Sequence, residues 1–578
     1  AKSKTLRYDL KQWSKRISKL SVLIDNCNKT LLELDGLEER RRLSVPEANF
    51  RNILRRHVLH LLDYKKAYWK KRCTVRQFKF GDGNTKFFHR VATERFRRNS
   101  IASLRLPDDS IIHDHVGKEA VLFQTYKERL GRSSQTDMRF DLRRIIKKVE
   151  GLQALSSPFT RNEIDQVVKE LPSDRAPGPD GFSGSFIKSC WNIIKEDCYR
   201  LCSDFHAGNL DLESLNSGFI TLIPKTQSPE TANDYRPITL LNCCLKILTK
   251  LLANRLQRVI LKIIHRNQYG FLKGRSIQDC VAWAFEFIHQ CQSSGREVAI
   301  LKLDFAKAFD TIEHAPMLEI MKCMGFDDRW LGWIKCLFST AKSAILLNGT
   351  PGSQFFCFRG VRQGDPLSPL IFVLAADLLQ AAINDAYRAG ALQLPIPIPD
   401  SDYPVIQYAD DMILVMPADL SQAETIKSIL QDYAASVGLG INFQNSTLIT
   451  VNSSAEATSR LAQIFDCVIG TMPFTYLGMP MGTARPTVAD LMPLVASVER
   501  MLSTAASLLD LGSKLTLVNS VITSLAIYTM CSIRLPPKIL EHLDKLRRYC
   551  LWAKNTDDGP KAISLVAWNL VCRPKERG

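Results

Sequence analysis

Two adjacent carboxylates lie inside an apolar run, "VIQYADDMILVM" at residues 405–416, and this feature constrains the fold most. Apolar residues on both sides are typical of two short strands, with Asp410 and Asp411 at the tight turn between them. Aspartate is common in turns for conformational reasons alone, so the pair could be structural. The alternative is that the hairpin tip holds both carboxylates for a metal ion.

A second apolar strand also ends on an acid. In "EVAILKLDFAKAFDTI", Asp304 follows the run at residues 298–303. By itself, Asp304 is explained equally well as the N-cap of a following helix. Catalysis of nucleotidyl transfer by two divalent ions, however, needs two or three carboxylates from separate strands, completed by substrate phosphates. Asp304, Asp410 and Asp411 supply such a set.

The chain is strongly basic. Its 578 residues predict about two to four domains, and apolar and charged fractions of 45% and 24% are those of a globular protein. A net charge of +18 indicates a polyanionic partner, either nucleic acid or an anionic membrane surface. The 16 cysteines lack paired CxxC spacing, so we expect reduced thiols and no zinc site. We expect no membrane span and no signal peptide, and we expect the chain to be part of a longer protein.

The N-terminal region has a heptad pattern that predicts a helix over residues 1–43. A capping box of Ser44 and Glu47 predicts the start of a second helix. A helical hairpin is favoured over a dimerising coiled coil. The apolar positions of the pattern are Leu6, Leu10, Trp13, Ile17, Leu20, Ile24, Cys27, Leu31 and Leu34.

Positive charge is concentrated between residues 64 and 98, a segment that contains twelve Lys and Arg residues but only two acidic residues. Aromatic residues are interleaved with these bases. Lysine and arginine bind phosphate and aromatic rings stack on bases, so the segment predicts a nucleic-acid surface. The alternative is a solvated helix face with core aromatics, although such a face usually mixes both signs. The candidate contact residues are Lys70, Lys71, Arg72, Arg76, Lys79, Lys86, Arg90, Arg97 and Arg98.

Four further segments stand in a fixed order around the two segments that carry the carboxylates. The central series is "LDFAKAFDTIEH", "GVRQGDPLSPLIF" (360–372) and "QYADDMILV". Upstream lie "FITLIPKTQSPETANDYRPITLLNCCLKILTKLLANRL" (219–256) and "NQYGFLKGRSIQD" (267–279), and downstream lies "PFTYLGMPMG" (473–482). The series resembles the reverse transcriptase of non-LTR (LINE-type) retrotransposons, especially the plant lineage.

The resemblance implies an α+β fold, the right-hand polymerase of fingers, palm and thumb with an antiparallel palm sheet. The implied division begins with a helical hairpin extension (1–62), then a basic nucleic-acid-binding segment and linker (63–150). It continues with fingers (151–297), palm (298–485) and a helical thumb (486–578).

It also implies roles for the acids. Asp304 and Asp410 would ligate two Mg²⁺ ions, with Mn²⁺ as an alternative, and Asp411 would support them. The backbone carbonyl of Phe305 would add a ligand. Asp310 is expected to be a structural or helix-capping acid instead.

Nucleotide and template contacts follow from the same resemblance. Lys225 and Arg236 would hold the triphosphate, and Phe309 would exclude a ribose 2′-hydroxyl. Beside the nascent base pair, Gln363 and Gly364 would contact the dNTP or template, since glycine permits close backbone approach. The pair Gly274 and Arg275 would lie along the template.

One residue departs from the pattern. Asn445, in "INFQNST", stands where the family usually has a lysine that can act as general acid for the leaving pyrophosphate. Asparagine cannot take that role, so the rate is in doubt.

The predicted function is RNA-directed DNA synthesis with an RNA template, a DNA primer and dNTPs, by a monomer, without nuclease activity. The family implies a ribonucleoprotein in the nucleus and cytoplasm. The first alternative is a catalytically impaired or domesticated RNA-binding relic. The second is another palm polymerase, such as a group II intron maturase or an RNA-dependent RNA polymerase. A membrane-surface role for the basic segment comes last.

Overall fold

The computed structural model describes residues 2–17, 19–73, 85–398, 401–505, 511–556, 559–562 and 566–573. The chain divides into two compact units. The smaller unit contains residues 1–100, 498–525 and 544–578, and the larger contains residues 101–497 and 526–543.

The N-terminal region is helical, as predicted, but the single helix expected over residues 1–43 is wrong. One helix ends at Ile17 and another begins at Leu20. Among the seam residues whose side chains the structure describes, the buried ones are Ile24 and Leu34 of the second helix. Leu6 and Trp13 in the first helix are exposed. The helices here are α1 (Lys2–Ile17), α2 (Leu20–Arg40), α3 (Val45–Cys73) and α4 (Thr85–Asn99).

Helices α2 and α3 form the predicted hairpin, joined by ion pairs from Arg51 to Asp35 (3.3 Å) and to Glu38. Half of the predicted capping box is present at the start of α3. The Glu47 carboxylate accepts a 2.8 Å hydrogen bond from the Ser44 backbone N–H. The Ser44 hydroxyl donates to the same carboxylate instead of accepting from the helix backbone.

The first half of the larger unit is mainly helical, with two long strands. Its elements are β1 (Leu104–Arg105), β2 (Ile111–Ile112), α5 (His115–Leu130), α6 (Leu142–Ile145), α7 (Arg161–Glu170), α8 (Gly184–Ser189), α9 (Trp191–Ala207), β3 (Ser217–Pro224), β4 (Tyr235–Leu241), α10 (Cys243–Ile263) and α11 (Ile277–Ser293).

The second half alternates strands and helices. Its elements are β5 (Val298–Leu303), α12 (Ala308–Thr311), α13 (His314–Met324), α14 (Asp328–Ser339), β6 (Lys342–Leu347), β7 (Thr350–Phe356), α15 (Ser368–Arg388), β8 (Val405–Tyr408), β9 (Asp411–Pro417), α16 (Leu420–Val437), β10 (Thr447–Val451), α17 (Ala455–Phe465), β11 (Val468–Ile469), β12 (Phe474–Tyr476) and β13 (Met479–Met481).

The C-terminal region is helical, with one small hairpin among its described residues, and its assignment as a thumb stays a prediction. Its elements are α18 (Val488–Ala505), α19 (Leu511–Leu517), α20 (Thr523–Ser532), α21 (Pro537–Trp552), β14 (Ala553–Thr556), β15 (Gly559–Ala562) and α22 (Trp568–Val571).

A five-stranded sheet, in the order β11-β10-β5-β9-β8, is the centre of the larger unit. Strand β5 pairs antiparallel with both β9 and β10, as expected for a palm, and only the short edge strand β11 is parallel. Along β5 and β9, successive apolar side chains point to opposite faces of the sheet and so pack in two different hydrophobic cores. Leu301 and Leu414 pack in one core with α10, α15 and α16, and Ile300 and Val415 pack in the other with α11 and the β12–β13 hairpin. Both faces are therefore buried, which explains the continuous apolar runs in the sequence.

A second sheet, in the order β4-β3-β6-β7, corrects the predicted boundary between fingers and palm. Strands β6 and β7 lie within the range assigned to the palm (298–485), yet β6 pairs in parallel with β3 from the range assigned to the fingers (151–297). A domain boundary at residue 297 would therefore place strands of one sheet in two different domains.

Residues 101–150 are also not a linker. Leu122, Tyr126 and Leu130 of α5 are buried in a core with the second sheet. The polar stretch that follows is held to α16, where the Arg139 N–H donates to Ser436 Oγ (3.0 Å). The segment assigned to 63–150 is thus divided between the two compact units at residue 100.

Two helical stretches among the described residues are long and apolar enough to cross a membrane, Ser368–Arg388 and Lys514–Ser532. The same length and composition occur in the core helices of soluble proteins, and most of Ser368–Arg388 is buried within the larger unit. These stretches are weak evidence for a membrane span.

Candidate active site

The predicted hairpin is confirmed, and its tip carries the paired acids. Strands β8 and β9 are antiparallel with Tyr408 opposite Asp411, so that Ala409 and Asp410 form a two-residue turn. Ala409 has a φ of 56°, in the left-handed region that an alanine rarely adopts. The backbone of this turn is therefore held in place by its surroundings.

The structure places Asp304 beside this turn. Leu303 lies opposite Met412 in the β5–β9 pairing, so the next position places Asp304 across from Asp411. Facing positions on antiparallel strands are about 5 Å apart. The Asp304 backbone is fixed on its other side, where its N–H donates to Ser446 Oγ (3.1 Å) and its carbonyl accepts from the Asn442 N–H (2.7 Å).

The three carboxylates share one electrostatic environment. Partial exclusion of solvent by the protein raises the pKa of Asp410, the negative charge of Asp304 raises it further, and Arg236 opposes the rise. The pKa of Asp411 is raised by the same exclusion of solvent and by Asp410, with Lys302 opposing. All three side chains remain accessible. A cluster of accessible carboxylates that repel one another is suited to binding cations.

The donor set fits a hard divalent ion, because Mg²⁺ prefers carboxylate oxygens. Within the described ranges, however, no three His, Cys, Asp or Glu side chains are grouped closely enough to hold a metal by themselves. Asp304, Asp410 and Asp411 thus line a site that substrate phosphates would complete, which is usual for Mg²⁺ in nucleotide enzymes. At Phe305 the side chain is buried, with its ring 6.5 Å from that of Tyr433.

The β3–β4 hairpin brings two basic side chains to the same sheet face. Ile223 lies opposite Arg236 and Pro224 opposite Tyr235, so Lys225 and Arg236 are diagonal neighbours. Arg236 is exposed and close enough to Asp410 to lower its pKa. Lys225 is exposed and donates to the Asn233 carbonyl (2.9 Å). Arg236 is thus close to the carboxylates, and its role as a triphosphate ligand stays a prediction.

Phe309, five residues after Asp304 in the chain, lies in an aromatic cluster. Its ring stacks on Phe372 at 4.8 Å and meets Phe271 edge-on at 6.3 Å. The next residue, Asp310, is buried and paired with Arg129 at 3.6 Å, in accordance with the structural role predicted for it.

The glycine of "RQGDPLSP" permits a close backbone approach. The Thr239 N–H donates to the Gln363 carbonyl (2.6 Å), which ties this loop to β4. Gly364 has a φ of 111°, and a Cβ there would lie 2.6 Å from the Thr239 carbonyl oxygen. Gln363 and Gly364 therefore lie beside the strand that carries Arg236.

Arg275 differs from its predicted role as a template contact. Its guanidinium donates to the backbone carbonyls of His265 and Gln268, both at 2.5 Å, and of Ile264 at 3.3 Å. Donors occupied in this way hold the protein's own backbone and are not available to phosphate. Gly274 is exposed with a φ of 95° and remains a candidate template contact.

Only part of the predicted basic surface can be located. Arg97 and Arg98 are exposed at the end of α4, and exposed Arg72 lies 3.4 Å above the Tyr68 ring. Arg76 and Lys79 lie outside the described residues, as do the side chains of Lys70, Lys71, Lys86 and Arg90. The nucleic-acid role of this segment stays a prediction.

Asn445 lies in the turn that holds Asp304 and is exposed. The same turn supplies Asn442 and Ser446, which the sequence analysis overlooked although they belong to the stretch "INFQNST". The β12–β13 hairpin was noted as a motif, but its contacts were not foreseen. Tyr476 Oη donates to the Asp411 carbonyl (3.3 Å), and Lys302 Nζ donates to the Thr475 carbonyl (3.0 Å).

Comparison with known proteins shows which families this chain is similar to. Residues 223–481 match the family model "Reverse transcriptase (RNA-dependent DNA polymerase)". A Popillia japonica relative, the Pol polyprotein from type-1 retrotransposable element R2, is 27% identical over 411 residues, which cover 68% of this chain and 54% of the relative. The RNA-directed DNA polymerase from mobile element jockey of Drosophila melanogaster is 22% identical over 441 residues (73% and 45%).

A Xenopus laevis protein, the transposon TX1 uncharacterized 149 kDa protein, is 29% identical over 296 residues (51% and 22%). Among solved structures, apo telomerase from Candida tropicalis aligns with a TM-score of 0.33 at 12% identity, covering 67% of this chain and 91% of that one. The chain spans between 22% and 54% of the length of the three retrotransposon relatives. Residues 223–481 match a reverse transcriptase domain, and the chain is similar to the RNA-directed DNA polymerases of non-LTR retrotransposons.

Proposed function

We propose that this chain copies an RNA template into DNA by nucleotidyl transfer at the site formed by Asp304, Asp410 and Asp411. The observation that carries the proposal is the convergence of these carboxylates at the ends of β5 and β8–β9, facing Arg236. The primer 3′-hydroxyl attacks the α-phosphate of a dNTP, a new phosphodiester bond forms, and the bond to pyrophosphate breaks.

Two Mg²⁺ ions, or Mn²⁺ in their place, would be held by Asp304 and Asp410 with support from Asp411 and the Phe305 carbonyl. When bound, such ions lower the pKa of the attacking hydroxyl and neutralise the leaving oxygens.

The remaining residues position the nucleotide. Arg236 and Lys225 bind the β- and γ-phosphates by charge-assisted hydrogen bonds. Phe309 is backed by Phe372 and therefore presents a rigid ring that excludes a 2′-hydroxyl. Gly364, without a Cβ, leaves room for the backbone to approach the nascent base pair.

Asn445 supplies no exchangeable proton of suitable pKa, so the leaving pyrophosphate takes its proton from water. The chain therefore works without the general acid that a lysine would provide. We further propose that it acts as part of an RNA-bound particle in the nucleus and cytoplasm, on an RNA template and a DNA primer.

Primer extension on an RNA template with dNTPs and Mg²⁺ tests the proposal. The wild-type chain should extend the primer, and Asp410→Ala should reduce the rate by about a thousandfold or more, since it removes a ligand that acts in the transition state. RNA affinity, measured by filter binding, should be unchanged in that variant. Asp328→Ala, which removes an exposed carboxylate at the start of α14, is the matched control and should retain full activity.

Asn445 also favours a second candidate, an RNA-binding protein that has lost turnover. Tight RNA binding without any extension by the wild-type chain would support that candidate and refute the polymerase. Extension with rNTPs in preference to dNTPs would instead indicate an RNA polymerase and contradict the role given to Phe309.

A further inference from the structure

One buried glutamine contacts the catalytic turn directly. Gln268, fully buried, follows α10 within the motif "NQYGFLKGRSIQD". Its Oε1 accepts hydrogen bonds from the backbone N–H of Ala409 and from that of Gly270, both at 2.9 Å. Its Nε2 donates to Gln407 Oε1 at 3.1 Å. A single amide therefore connects the turn, the strand that leads into it and the neighbouring segment.

Backbone hydrogen bonds reinforce this connection. Residues 267–269 run beside β8, where the Tyr269 N–H donates to the Gln407 carbonyl (2.8 Å) and the Gln407 N–H donates to the Asn267 carbonyl (3.0 Å). Gly270 lies against the turn itself, because a Cβ there would be 2.4 Å from the Ala409 nitrogen. The segment at 267–270 thus extends the palm sheet at the edge that carries the acids.

The same segment is anchored on its far side. Arg275 donates to the carbonyls of His265 and Gln268, and buried Asp377 of α15 accepts from the His265 N–H at 2.9 Å. Gln268 is therefore connected to the core helix α15 through Arg275 and His265. The strained backbone of Ala409, at φ 56°, requires a partner of this kind to persist.

We propose that Gln268 is a positioning residue that holds the Ala409–Asp410 turn, and with it the metal-binding carboxylates, in the geometry needed for nucleotidyl transfer. Ala409 is 2% exposed, so water cannot replace the bond that its N–H makes to Gln268. Loss of this bond releases the turn to relax toward a less strained backbone and displaces Asp410. The inference rests on the proposed function, since the positioned acids are those of the polymerase site.

The experiment compares two buried glutamines. Gln268→Met keeps the side-chain volume and removes both hydrogen-bonding groups. Gln380→Met is the matched control, because Gln380 is 1% exposed and its Nε2 donates to the Tyr403 carbonyl (3.1 Å) and to Asn384, without a bond to the turn. Both variants lose buried hydrogen bonds, so both should lose thermal stability.

Single-turnover primer extension then separates positioning from stability. Gln268→Met should lower the maximum polymerisation rate by about ten- to a hundredfold, the effect expected of a displacement of about 1 Å at a reacting centre. Its apparent dissociation constants for dNTP and for RNA should stay within about twofold of the wild type. Gln380→Met should leave the rate within about twofold. A Gln268→Met rate no lower than that of Gln380→Met overturns the proposal.

Hydrogen exchange provides a test that does not depend on activity. In Gln268→Met, the peptide containing Ala409 should exchange at least about tenfold faster, whereas peptides from β5 should not change. Unchanged exchange at Ala409 overturns the positioning role even if the rate falls. If the wild-type chain does not extend primers, the proposed function fails and the exchange result still decides whether Gln268 holds the turn.

Discussion

Replacement of Arg129 by methionine should destabilise the larger unit strongly and in a pH-dependent way. Arg129 and Asp310 form an ion pair at 3.6 Å in which the side chains are 7% and 6% exposed. Arg129 also donates to Asn233 Oδ1 (2.9 Å) and lies over the Tyr126 ring. Asp310 follows Phe309, so this pair also supports the segment that we propose contacts the nucleotide.

The size of the effect follows from the distance. At 3.6 Å, with an effective dielectric constant of about 20, the Coulomb energy of the pair is about 4.6 kcal/mol. Removal of one partner from a buried pair typically costs about 3–5 kcal/mol, because the other charge stays buried without compensation. We therefore expect Arg129→Met to lower the free energy of unfolding by about 3–5 kcal/mol at pH 8.

The pH dependence has a definite sign. Burial raises the pKa of Asp310 above its unfolded value, and Arg129 opposes the rise. A carboxyl whose pKa is higher in the folded state than in the unfolded state stabilises the folded state at low pH. This contribution is fully present below the pKa of the unfolded state and is lost as the pH rises through the pKa of the folded state. Without Arg129 the folded pKa of Asp310 rises further, so the deficit of Arg129→Met should be largest at neutral and alkaline pH and should shrink as the pH falls.

Urea unfolding followed by circular dichroism at pH 8 and pH 5 measures the difference. Arg139→Met is the matched control, since the Arg139 side chain is 53% exposed and pairs with Asp432 at 3.1 Å on the surface. Such a pair contributes about 1 kcal/mol or less. Arg129→Met/Asp310→Asn should recover part of the loss, because a buried amide costs less than a buried charge. A deficit that is constant with pH, or that grows in acid, would refute the reasoning.

Three further predictions concern the polymerase site. Asn445→Lys should raise the single-turnover extension rate by at least about tenfold by supplying a general acid, and an unchanged rate would exclude proton donation from this position. Phe309→Val should lower the preference for dNTP over rNTP by about ten- to a hundredfold in competition assays, because the ring stacked on Phe372 is lost. Unaltered selectivity would show that Phe309 does not exclude the 2′-hydroxyl. Arg275→Met should leave the salt dependence of RNA affinity unchanged, because the Arg275 guanidinium donates to backbone carbonyls. Arg97→Met should reduce the slope of log affinity against log salt concentration by about 0.7. Equal changes in the two variants would contradict the structural role of Arg275.

Local pattern was sufficient to identify the elements that carry the chemistry. The apolar residues on both sides of "ADD" predicted the β8–β9 hairpin, and the apolar run before Asp304 predicted β5. A strand or a tight turn depends on neighbours only a few residues away, so its signal survives in the sequence. The same holds for Ser44 and Glu47 at the start of α3.

Predictions failed where distant segments decide the outcome. The boundary at residue 297 was wrong because β6 pairs with β3, more than a hundred residues earlier in the chain. The heptad pattern predicted one helix where two exist, since a heptad reports apolar spacing but not the packing partner that keeps a helix continuous.

The sequence by itself determined which residues could do chemistry: three acids on apolar strands, basic residues upstream, a phenylalanine and a glycine between them. The tertiary structure alone decided which residues work together. It brought Asp304 beside Asp411 through strand register, turned Arg275 inward to backbone carbonyls, and placed Gln268 against the strained turn at Ala409. The physical reason is that a side chain's chemistry is intrinsic, whereas its partner depends on how segments far apart in the chain pack and pair.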